Sequence, residues 1–173
     1  MASYYYLISS LPMLRTQGEP PMDYAAFLAM CRSAVSAGVY RTLEELTVDS
    51  DKGPLLSEWA GFYKALCREL TYQRNVKLGR PCAVPSDRDA GIVQTVTAAV
   101  NAENPLEGER LGVGVEFRRL DGMIGLHNFD DHALYGYAMK LQLLERQRTF
   151  RYESGKRAFD GLMQNIRQQV SSL

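Results

Sequence analysis

Residues 134–150, LYGYAMKLQLLERQRTF, constrain this chain more than any other stretch, because a helix there carries apolar residues on two opposite sides. Leu134, Tyr137, Ala138, Leu141 and Leu144 recur at the three-and-four spacing of one helical face, while Gly136, Met139, Leu143 and Phe150 line the reverse. Such a helix has to be covered twice. It lies between two layers of its own fold, or one face docks on something else. The docking expectation falls on Met139, Leu143 and Phe150, with Arg146 at the rim.

Most of the remaining chain reads as helix as well. Asp23 is placed to cap a helix with the stripe Tyr24, Phe27, Leu28, Cys31, Ala34 and Val35, which Gly38 would end. A short amphipathic segment, 40–48, gives way to the turn signal DSDKGP. The strongest periodicity runs from about Pro54 to Leu78, where Leu55, Trp59, Phe62, Tyr63, Leu66 and Leu70 keep one face. That face continues into Gln73, Arg74 and Lys77 before Gly79-Arg80-Pro81 stops the helix.

Ser86 with Asp89 resembles a capping box ahead of Ile92, Val93, Val96, Ala99 and Val100. Their β-branched side chains also suit a strand, but the spacing favours a helix. Asn104-Pro105-Leu106-Glu107 combines an N-cap, a proline at the first helical position and a carboxylate three residues after the cap. Beyond it, Gly108, Gly112, Gly114, Gly122 and Gly125 each cost about 1 kcal/mol relative to alanine in a helix interior. LGVGVEF even passes for a strand. Leu106, Val113, Phe117, Leu120 and Ile124 nevertheless share a helical face, so the expectation is a helix with close helix–helix contact or a break at the glycines. A last helix follows Phe150, striped by Phe159, Leu162, Met163, Ile166 and Val170. The fold class is therefore all-α, a bundle of about six to seven helices in one domain spanning 1–173.

Charge and cysteine usage narrow the function. Twenty basic and twenty acidic residues cancel, so no net field draws the chain to nucleic acid or an anionic bilayer, and proteins are the expected partners. Cys31, Cys67 and Cys82 are odd in number, far apart and outside any CxxC, which fits reduced thiols in a cytosolic setting, with two of them on apolar helix faces. MASYYYLISSLP lacks the basic flank and apolar core of a secretion signal, and no window approaches the roughly 18 apolar residues of a membrane span. Tyr4, Tyr5 and Tyr6 read as core packing with one ring exposed, or as an aromatic contact patch.

Candidate chemistry is sparse. His127 and His132, in HNFDDH with Asp130 and Asp131, are the only histidines and the only cluster of metal-ligand types. Their i, i+5 spacing leaves one helical face, and their place at a helix start favours capping. Gly112-Val113-Gly114 lacks the third glycine of a dinucleotide fingerprint, and Ser154-Gly155-Lys156 lacks the upstream glycine of a phosphate loop, with Phe150 in its place. No nucleophilic triad follows from the spacing, so neither cofactor nor catalysis is expected. Arg74 and Glu109 interrupt apolar faces, and an arginine reaching inward needs a carboxylate. The expectation is an Arg74 pair with Glu109 or Glu107 that fixes helix register.

YYYLISSLP at the start, ELTYQRNVKLGRP at 69–81, NPLE-x-ER at 104–110 and YAMKLQLLERQRTF at 137–150 resemble a bacterial family found with V/A-type rotary ATPases. That family is similar to the central-axis subunit of these machines, which is called d in eukaryotic enzymes and C in the others. The resemblance spans nearly the whole chain through helical packing patterns. It implies a helical wedge without catalytic activity, a socket between the central shaft and the membrane rotor ring, cytoplasmic and peripheral to the inner membrane through those partners. The chain is too short for the threefold repeat of the archaeal-type protein. The alternative from the residues is a free-standing helical protein with a ligand or metal-dependent pocket around His127 and His132.

Overall fold

The computed structural model describes residues 4–86, 88–148 and 152–171, and every regular element within them is a helix, eight in all. The added element against the sequence reading is α1 (Tyr5–Ser10), wound from the tyrosine-rich opening. Tyr4 at its cap is buried, whereas Tyr5 and Tyr6 are both exposed.

Caps set the other boundaries. Asp23 accepts from the Ala26 N–H at 2.7 Å to begin α2 (Tyr24–Cys31). Gly38 does not end this helix. Ser36 accepts from the Val39 N–H and starts α3 (Ala37–Glu44), so a cap overrides the glycine, which lies in the next helix. Pro54 opens α4 (Pro54–Lys77), which closes at Gly79 with φ +64°, a conformation suited to glycine. Asp89 rather than Ser86 caps α5 (Ala90–Val100), accepting from Ile92 N–H at 3.0 Å. Asn104 caps α6 (Pro105–Ile124), which passes unbroken through Gly108, Gly112, Gly114 and Gly122. α7 (Asp131–Arg148) and α8 (Tyr152–Ser171) are the last two described helices.

α7 is the axis of the packing, and its two apolar sides are both covered from within. Leu134, Ala138, Leu141 and Leu144 on one side and Gly136, Met139 and Leu143 on the other are all buried. Around them stand Phe27 of α2, Leu43 of α3, Leu56 and Trp59 of α4, and Phe117 and Leu120 of α6. Tyrosine and tryptophan tips find carbonyls: Trp59 Nε1 donates to Val48 O at 2.8 Å, Tyr24 to Leu43 O and Tyr137 to Pro12 O. A second cluster of Leu66, Ile92 and Val96 joins α4 to α5, and Phe62 and Tyr63 border both clusters. Cys31 is buried as expected, while Cys67 and Cys82 are exposed because they stand off these packed faces.

The glycines of α6 divide by environment. A Cβ on Gly108 would lie 2.6 Å from the Ala99 carbonyl oxygen, a backbone atom of α5, so this glycine lets two helices touch. A Cβ on Gly112 would meet nothing within 4 Å. Gly108→Ala is expected to destabilise by about 1–3 kcal/mol through forced separation, and Gly112→Ala to stabilise by about 0.5–1 kcal/mol. Urea unfolding of the two variants against the parent gives both signs; equal shifts would contradict the close approach.

Candidate functional site

Two of the residues expected to form a docking face, Met139 and Leu143, fall inside the molecule. Met139 and Leu143 have no exposed surface, because α7 is enclosed by its own chain; they are core and cannot receive a partner. Phe150 lies outside the described residues. Arg146 turns into the seam between α6 and α7: Nε donates to Glu109 Oε1 at 2.9 Å, and its terminal nitrogens grip Glu116, at 3.2 Å to Oε1 and 2.7 Å to Oε2. Glu109 thus has an arginine from another helix, as expected, but that arginine is Arg146 and not Arg74. Arg74, in the last turn of α4, is exposed, and so is Glu107.

Glu116 is the residue the sequence reading missed. Its side chain is only 2% exposed, and burial pushes its carboxyl above the usual range against the pull of Arg146. Burial also opposes the Arg146 charge, but Glu116 and then Glu109 outweigh it and raise the guanidinium further. The signal is present in the sequence: Glu109, Val113, Glu116 and Leu120 recur at the spacing of one face, so two carboxylates seven residues apart meet the same neighbour. A second pair stands where α4 meets the approach to α5. Arg88 donates through Nε and a terminal nitrogen to buried Glu69, at 2.9 and 2.6 Å, and Gln73 adds a third bond. The Arg88 hydrogen bond holds Glu69 below the ordinary carboxylate range. The first cluster sets one guanidinium against two carboxylates and joins α6 to α7, and the second ties α4 to the segment ahead of α5.

α8 presents the opposite situation. Three residues of its stripe are exposed, Phe159 at 60%, Leu162 at 58% and Ile166 at 45%, while Met163 is half-buried and the Val170 side chain lies outside the described residues. Among the described residues, α8 contributes no side chain to either core cluster. Arg157, Gln164 and Gln168 occupy the far side, so the helix is amphipathic.

Between α6 and α7 the chain turns at Gly125, where φ is +53°, and gathers His127, Asp130 and His132. Asp130 caps α7: its Oδ1 accepts from the N–H groups of His132 and Ala133 at 3.1 and 3.2 Å, while Oδ2 meets His127 Nδ1. The two imidazoles stack with centroids 4.3 Å apart. The same connection holds the amino-terminal segment, since Phe129 O accepts from the Tyr4 N–H at 2.8 Å and the Phe129 ring packs on Tyr5. Elsewhere, an open cleft of about 550 Å³ is lined by Thr16, Glu19, Leu106, Arg110, Leu144 and Arg148 among others.

No family model matches this chain, no curated protein does, and no solved structure does. Among the described residues no helix is long and apolar enough to cross a membrane.

Proposed function

We propose that this chain is a non-catalytic interaction component of a V/A-type rotary ATPase, acting like the central-axis socket between shaft and membrane rotor ring. The uncovered face of α8 carries this reading. Phe159, Leu162, Met163 and Ile166 follow the three-and-four spacing of a seam made for another helix, and the bundle closes its core without them. The resemblance implies that such a socket receives the foot of the central shaft, and that is the partner to which this face is assigned. The resemblance of segments 4–12, 69–81, 104–110 and 137–150 to a bacterial family found with these machines and similar to their central-axis subunit supports the same partner. Attachment at the cytoplasmic side of the inner membrane would run through these partners.

Coexpression with the shaft and rotor-ring proteins of the rotary ATPase from the same cell tests the assignment. The tagged chain is expected to retain the shaft protein in one-to-one amount. The double variant Phe159→Glu with Leu162→Glu is expected to lose more than about tenfold of that binding, since it places two charges in an apolar seam. Its unfolding midpoint should match the parent's, because neither side chain belongs to the core. A parent chain that retains neither protein would reject the proposal, as would a charged variant that binds as well as the parent.

A further inference from the structure

We propose that His127, Asp130 and His132 form a binding site for a divalent transition metal, with zinc the representative ion. One donor atom from each residue lies within 4.8 Å of the others. The i, i+5 spacing that speaks against a shared helical face does not apply. His127 precedes the helix, Asp130 is its cap, and only His132 lies within α7. The turn at Gly125 carries His127 back over the first turn of the helix, where the two rings stack within 12° of parallel.

The two oxygens of Asp130 divide their work. Oδ1 is anchored by two backbone N–H groups, which leaves Oδ2 directed at His127. A carboxylate held in this way is oriented before an ion arrives, the arrangement that tunes ligands in known metal sites. Bond lengths of about 2.0–2.2 Å in a tetrahedral site need donors about 3.3–3.6 Å apart. Side-chain rotation closes that gap, since the His127 side chain is 39% exposed and His132 is also partly open to solvent. The positive end of α7 opposes a cation. Two adjacent carboxylates offset it: Asp130, and Asp131, whose Oδ1 is shielded from solvent without a hydrogen-bond partner.

Two imidazole nitrogens and one oxygen select among ions. Magnesium and calcium demand mostly oxygen donors, whereas zinc, nickel and cobalt accept this set. Three protein ligands leave a fourth position for water or for a side chain of a partner. The ion would clip the α6–α7 connection and, through Phe129, the amino-terminal segment that hangs on it.

Calorimetric titration of chelator-treated protein with zinc, nickel and magnesium chlorides tests the site. One zinc per chain is expected, nickel at the same site, no magnesium, and a higher unfolding midpoint with zinc present. Asp130→Asn separates capping from ligation, because asparagine caps as well as aspartate but is a poorer ligand. It and His132→Gln are each expected to weaken zinc binding at least about tenfold, with midpoints in chelator equal to the parent's. Should His132→Gln fail to fold, His127→Gln takes its place. Absence of zinc binding up to about 100 μM, a dissociation constant corresponding to weak affinity, would overturn the site, as would undiminished binding in both variants.

Discussion

Arg146→Met is expected to lower the unfolding free energy by about 3–5 kcal/mol, because it leaves Glu116 buried between α6 and α7 with its charge uncompensated. Methionine preserves much of the arginine stem's volume, so the loss reports the charge rather than a void. Glu109 sits close by, and its repulsion of Glu116 adds to the penalty once the guanidinium is gone. The decisive control is the double variant Arg146→Met with Glu116→Leu, which removes both charges and should recover stability to within about 1 kcal/mol of the parent, as buried pairs replaced by apolar groups commonly do. Denaturant unfolding at neutral pH measures all three proteins. An Arg146→Met chain as stable as the parent would mean that solvent reaches Glu116.

Leu143→Ala should cost about 2–5 kcal/mol, the range for truncating a fully enclosed leucine. This number distinguishes core from interface. A leucine waiting for a partner would be exposed in the free chain, and its truncation would change stability by at most about 0.5 kcal/mol. The same thermal or urea melt applied to Leu162→Ala gives the contrast, since Leu162 is more than half exposed on α8. Parity between the two variants would contradict the enclosure of α7.

Local signals in the sequence are enough for most of the helices, though not for α1, whose start carries no side-chain cap. Asp23, Asn104-Pro105 and Gly79-Arg80-Pro81 act where their residue types place them, because a cap or a stop involves only neighbours in the chain. Gly38 and Ser86 mislead where two local signals compete, and the side chain that reaches a free N–H prevails in each case. The two-sided character of 134–144 is also legible. What covers each side is not. Met139, Leu143 and Arg146 do form a row, but periodicity names a face and leaves its neighbour undefined. Arg146 and Glu109 are 37 residues apart in the chain, and Arg74 is an equally good partner on spacing alone. Glu116 hides in the middle of an apolar row, although its seven-residue offset from Glu109 marks it.

The enclosure of α7 on both sides has a consequence for how such a chain can vary in length. Each residue adds about 100° of rotation and 1.5 Å of rise. Deleting one between Leu134 and Leu144 would swing everything downstream a quarter-turn or more, withdrawing leucines from both walls and carrying Arg146 away from its carboxylates. A helix buried along one stripe can reseat by rolling on its neighbour, but α7 has no free direction in which to roll. Tolerated indels are therefore expected only in connections such as 11–22 and 78–86, and the span of this one helix acts as the ruler to which the others are cut.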